Sequence, residues 1–118
     1  MRIFRLEDRH GDGVYSSRVP YEILSRCEKM GIHHHDPESD GMPYRNWGAN
    51  HYFGFESMDA LHRWFPKPMM MPLHQHGIFL VVYEVDECYV CKGRTQLAFI
   101  MDHATEVDRQ PLNDLARR

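Results

Sequence analysis

Hydrophobic and polar positions divide the chain into strongly patterned segments separated by polar, proline- and glycine-bearing ones. From Ile78 to Val85, seven of eight residues are apolar or aromatic and four are β-branched. An unbroken run of this kind predicts a strand buried on both faces in the middle of a sheet, because a one-sided strand alternates. Arg2 to Glu7 predicts a shorter first strand with Ile3, Phe4 and Leu6 as its apolar bulk. The turn His10-Gly-Asp-Gly13 ends it, its two glycines permitting positive φ. Pro20 to Met30 predicts a helix: proline suits its first turn, Gly31 suits the position past its end, and Ile23, Leu24, Cys27 and Met30 share a face. His51 to Phe55 predicts another strand. Ser57 then reads as the N-cap of a second helix, with Asp59 in its first turn, Leu61, Trp64 and Phe65 on its apolar side and Pro66 as its stop. A strand from Thr95 to Met101 turns Leu97 and Phe99 to one side.

The other segments lack a period. His33 to Asn50 predicts a long loop, pinned to the body by Tyr44 and Trp47. Lys67 to Gly77, with Pro68, Met69 to Met71 and Pro72, reads as a surface-packed linker whose methionines cover the open end of the core, against the alternative of an adaptable contact surface for a partner. Residues 102–118 read as a polar C-terminal tail carrying a short helix at Leu112 to Arg117. The expected fold is α+β: a single small domain over residues 1–118, with a mixed or antiparallel sheet and two helices.

Composition narrows the function classes. A chain of 118 residues with 42% hydrophobic content suits one domain. Its apolar runs fall far short of the roughly 20 residues needed to span a bilayer. The charged opening Met1-Arg-Ile-Phe-Arg-Leu-Glu-Asp8 lacks the pattern of a signal peptide, so the expectation is a cytoplasmic location with no membrane partner. A net charge of −3 argues against general nucleic-acid binding, although nine histidines would add positive charge below about pH 6.5. Three cysteines, an odd number, suggest thiols or thiolate ligands rather than a disulfide framework.

Candidate chemistry begins with Cys88-x-x-Cys91-Lys-Gly93, which resembles a zinc knuckle: two thiolates at that spacing can grip one tetrahedral ion. Two further ligands would come from His74 and His76, from His33, His34 and His35, or from Cys27. The alternative is that Cys88 and Cys91 pack as small hydrophobes at a strand end. A redox role is disfavoured, because such pairs sit at helix N-termini whereas these flanks read as strand and turn. The run His33 to His35, ahead of Asp36 and Asp40, offers a second divalent-ion candidate against a solvated-loop reading. Arg2, Arg5 and Arg18 flank the first strand, either as anion-binding cations or as a solvated face.

Three pieces in order carry a resemblance: Phe4-Arg5 with Gly11-x-Gly13-x-Tyr15, then Phe53-Gly-Phe-Glu-Ser57 running into a helix with Trp64-Phe65, then Tyr83-Glu-Val85 followed by Gly93-x-x-Gln96. The set resembles a group of small uncharacterised bacteriophage and prophage proteins, which implies the host cytoplasm as location. More distantly, the order resembles the ADP-ribosyltransferase fold. That resemblance implies a cleft for NAD or ADP-ribose in which Arg5 binds the nicotinamide-ribose or pyrophosphate side, Ser57 orients the dinucleotide, Gln96 takes the catalytic glutamate's position, and Tyr15 and Phe53 stack. Gln96 departs from the family, because a neutral amide cannot supply the charge that stabilises an oxocarbenium-like transition state. The resemblance therefore implies nucleotide binding more than turnover. Two other expectations stand beside it: a non-enzymatic phage inhibitor of a host protein complex, such as a defence system, and a zinc-stabilised interaction module built on Cys88 and Cys91 with His74 and His76.

Overall fold

The computed structural model describes residues 1–32, 34, 36–43 and 50–116. In chain order its strands are β1 (Arg2–Glu7), β2 (His51–Gly54), β3 (Phe79–Val85), β4 (Val90–Lys92), β5 (Leu97–Ile100) and β6 (Ala104–Pro111). Its α-helices are α1 (Tyr21–Lys29), α2 (Met58–Trp64), α3 (Met70–Gln75) and α4 (Asn113–Ala116). The strands form two three-stranded antiparallel sheets, ordered β1-β3-β6 and β2-β5-β4, so the α+β expectation holds with antiparallel pairing throughout. Phe4 and Phe55 exchange both backbone hydrogen bonds at 2.8 Å, which ties the edge of the first sheet to the end of β2.

The apolar run does what its pattern dictates. β3 is the central strand of its sheet and is covered on both faces. Leu80 faces a core shared with Leu6, Phe55, Leu61, Trp64, Met69, Met70 and Leu73. Val81, Tyr83 and Val85 face a second core between the sheets with Ile3, Leu97 and Phe99. Gly54 is what lets the sheets approach: a Cβ there would lie 2.5 Å from Ile3 Cγ2 and 3.0 Å from the Phe4 carbonyl. At α2, Ser57 Oγ accepts from Ala60 N at 3.1 Å, satisfying one of the first-turn donors.

Several expectations are corrected. Lys67–Gly77 is not a linker but a 3-10 turn (Lys67–Met69) leading into α3, with Met69, Met70 and Leu73 fully buried. Pro68 and Pro72 lie in the first turns of these two elements, where a missing N–H removes no intrahelical bond. Residues 104–111 are not tail but β6, an edge strand so exposed that its sequence carries no apolar alternation. A register shift opposite Val82 and Tyr83 bends it. The stretch after β3 holds a 3-10 turn (Glu87–Tyr89) and β4 before the turn at Gly93. Met30 lies at the end of α1, 43% exposed, rather than on its buried face. Gly11 has the positive φ of 85°, whereas Gly13 sits at −66° and is glycine for a different reason given below. Tyr44 and Trp47 lie outside the described residues. Among the described residues no helix is long and apolar enough to cross a membrane.

Candidate functional site

Inward-facing positions of β1 run Ile3, Arg5, Glu7, and the last two place charge where only apolar groups are cheap. Glu7 is 1% exposed and Arg5 7%. Their groups approach at 3.7 Å between Arg5 Nε and Glu7 Oε1, without a hydrogen bond at Nε. Arg5 Nη1 donates to the Phe53 carbonyl at 2.7 Å and Nη2 to the Gly11 carbonyl at 3.1 Å. The guanidinium also stands 5.0 Å over the Tyr52 ring. One side chain thus staples the Asp8–Gly13 turn to β2. The glycines follow from it: a Cβ on Gly13 would come within 3.2 Å of Arg5 Nη2, and one on Gly11 within 3.3 Å of Glu7 Oε2. Burial lowers the Arg5 pKa, opposed by the Glu7 carboxylate and the neighbouring tyrosines. The Tyr83 hydroxyl donates to Glu7 in a short hydrogen bond. Burial, then that hydrogen bond, push the phenol far above its ordinary value.

Above the staple opens a cleft of about 800 Å³, the volume of a small-molecule site. It is walled by the turn before Tyr15, by α1, by β2 with Phe55, and by Trp64 and Phe65 at the end of α2. Arg5, Tyr15, Phe53 and Gln96, four of the residues picked from the sequence, line it together. Ser57 does not. Its hydroxyl is spent on the α2 cap, so the cleft role expected of it is not the one its geometry serves. Arg5 reaches the cleft as part of its floor, with Nη1 and Nη2 each turned to a protein carbonyl and Nε without a hydrogen bond. It is the one Lys or Arg among the described lining residues, while Asp12, Glu28 and Asp36 bring exposed carboxylates to the wall. The cleft is aromatic inside and acidic outside.

Two buried carboxylates support this site, Glu7 and Asp40, and the second, expected beside a divalent ion, instead accepts from Thr95 and Gln96. Glu7 was signalled only by its place two residues from Arg5 on the inward face of a strand. Asp40 is 1% exposed and ties the loop after α1 to the β4–β5 turn. Its carboxylate accepts from Thr95 N at 3.0 Å, Thr95 Oγ1 at 2.7 Å and Gln96 N at 3.1 Å. A Cβ on Gly93 would collide with that carboxylate. Nothing in the order of residues pairs position 40 with positions 93 to 96, although the clamp is what sets Gln96 against the cleft.

Of the metal candidates, Cys27, His34 and Asp36 line this cleft, whereas Cys88, Cys91, His74 and His76 do not. Cys88 is exposed and Cys91 half-buried at β4, and His74 and His76 lie at the end of α3. Among the described residues no group of three or more His, Cys, Asp or Glu is arranged to hold a metal ion. His33 and His35 lie outside the described residues. Desolvation, then the hydrogen bond and charge of Asp86, raise the Cys88 thiol, the opposite of what an activated thiolate needs. Cys27 is buried, its thiol raised by burial and donating to the Trp64 carbonyl at 3.4 Å.

Fold and cleft together define a small α+β domain with a ligand-sized, aromatic-walled pocket. Its kinship is to bacteriophage proteins: the chain belongs to the family described as Bacteriophage T4 Y00F protein, which matches residues 1–113. No curated protein and no solved structure matches it.

Proposed function

We propose that this phage-family protein binds the nucleoside end of an NAD- or ADP-ribose-type nucleotide in the cleft, without turning it over. The observation that carries the reading is the convergence of Tyr15, Phe53 and Gln96 with Trp64 and Phe65 on one cleft of about 800 Å³. Aromatic faces supply base stacking, worth about 1–3 kcal/mol per base. Gln96 supplies a polar group beside them. Turnover is not part of the proposal, because the buried carboxylate near the cleft, Glu7, is engaged by Tyr83 and Arg5, and Gln96 is neutral. The acidic rim and the committed Arg5 also mean that the phosphates gain little, so adenosine should bind at least as well as ADP-ribose or NAD at low salt.

The test is thermal stabilisation of the purified chain by adenosine, ADP-ribose and NAD, repeated with Tyr15→Ala. Tyr15 is 56% exposed, so its removal leaves the core intact. A ligand-dependent rise in Tm that falls at least about fivefold in apparent affinity in Tyr15→Ala supports the reading. No stabilisation by any of the three would sink it. A second reading, binding of a host protein complex, draws on Tyr15 and Tyr21, the latter 71% exposed, at the cleft mouth, with Met30 nearby in sequence at the end of α1. It predicts that a Tyr15→Ala, Tyr21→Ala chain loses a host partner while small molecules leave its Tm unchanged.

A further inference from the structure

The surroundings of one histidine indicate which part of the cleft takes the base. The His34 ring stacks on the Trp64 indole with centroids 4.4 Å apart and planes 12° from parallel. Tyr15 meets it edge-on at 5.4 Å and Phe65 at 4.9 Å. Its Nε2 lies 2.6 Å from the Trp64 carbonyl oxygen. A carbonyl oxygen can only accept, so Nε2 carries the proton and the ring is a planar heteroaromatic donating an N–H to the protein. A stacking face, two flanking aromatic rings and an acceptor within hydrogen-bond reach are what a nucleobase with an amino group requires. His34 is half-buried and lines the cleft.

We propose that the face of Trp64, between Tyr15 and Phe65, is the base subsite of the cleft, and that His34 fills it in the ligand-free protein. The ligand class is a planar heteroaromatic base with an N–H donor, which displaces the imidazole, takes its place on Trp64 and donates to the same carbonyl. This inference rests on the nucleoside reading above and adds where the base sits and which hydrogen bond it must make. Displacement has a defined consequence for affinity. A ring that occupies the subsite most of the time lowers the apparent affinity by the fraction of open protein, so removing it tightens binding.

The experiment is calorimetric titration of the full chain and of His34→Ala with adenosine, and with N6,N6-dimethyladenosine, whose base keeps its ring but has lost its donors. The expected result is adenosine binding about tenfold tighter in His34→Ala than in the wild type. The dimethyl analogue should bind about tenfold more weakly than adenosine to both. Unchanged or weaker adenosine binding in His34→Ala makes His34 a wall rather than an occupant and overturns the inference while leaving the nucleoside cleft standing. Equal binding of the two nucleosides overturns the donor assignment. Absence of binding by either protein overturns the cleft reading itself. A measurement on the wild type guards against a poorly folded variant: saturating adenosine should remove the ring-current shift of the His34 ring protons caused by Trp64, and its retention overturns displacement.

Discussion

Glu7→Gln is the perturbation that most exposes how the cleft floor is held. The substitution keeps shape and an acceptor for the Tyr83 hydroxyl, but among the described residues it removes the only carboxylate within ion-pair distance of a guanidinium that is 7% exposed. Breaking a buried pair by removing one partner costs about 3–5 kcal/mol, mostly from the charge left behind. Arg5 keeps its bonds to the Phe53 and Gly11 carbonyls, so the lower end applies, about 3 kcal/mol. Arg109 is too exposed, and at 4.0 Å too distant, to alter this much. For a chain of this length the loss corresponds to a fall in Tm of about 12 °C. Urea unfolding followed by circular dichroism would measure it, with Arg5→Met and the double variant completing a cycle. The coupling between the two sites should be about 2 kcal/mol. A cost below about 1 kcal/mol together with no coupling would refute the reasoning and leave Arg5 held by carbonyls alone.

Two further predictions follow from the same structure. Asp40→Ala strands the three donors from Thr95 and Gln96 and should cost about 3 kcal/mol in urea unfolding, with Asp40→Asn losing less; a loss under about 1 kcal/mol would mean the β4–β5 turn stands without its clamp. The raised Tyr83 phenol fixes an alkaline limit: stability is full below the unfolded pKa of about 10 and falls as pH rises above it, because the unfolded chain releases a proton that the folded one retains. Unfolding free energies between about pH 8 and 11 should therefore slope downward in the wild type and less so in Tyr83→Phe, and equal slopes would count against it.

What the sequence conveyed, and what it hid, divide along physical lines. β1, β3 and the start of α2 were legible because burial on one or both faces and a serine cap write themselves into local order. β6 was hidden because its side chains face solvent, and strand pairing to β3 is a backbone matter that leaves no apolar trace. α3 and the 3-10 turn before it were hidden by Pro72 and Pro68, which mimic a linker unless they fall in a first turn. The glycine pattern around Gly11 and Gly13 was visible, but the side chains lying against them, Glu7 at Gly11 and Arg5 at Gly13, were not. Ser57 served its helix rather than the cleft, a competition that local sequence shows from only one side. Asp40 acts across 55 residues of chain, and no periodicity reports a contact of that span.

The most direct test of the central claim is a titration of the isotope-labelled chain with adenosine, followed by the shifts of its backbone amides. The account predicts saturable changes clustered at Gly11 to Ser16, His51 to Phe55 and Trp64 to Phe65, the segments that wall the cleft. Spectra unmoved at millimolar adenosine, or changes confined to β6 and the Cys88 to Cys91 segment, would contradict it.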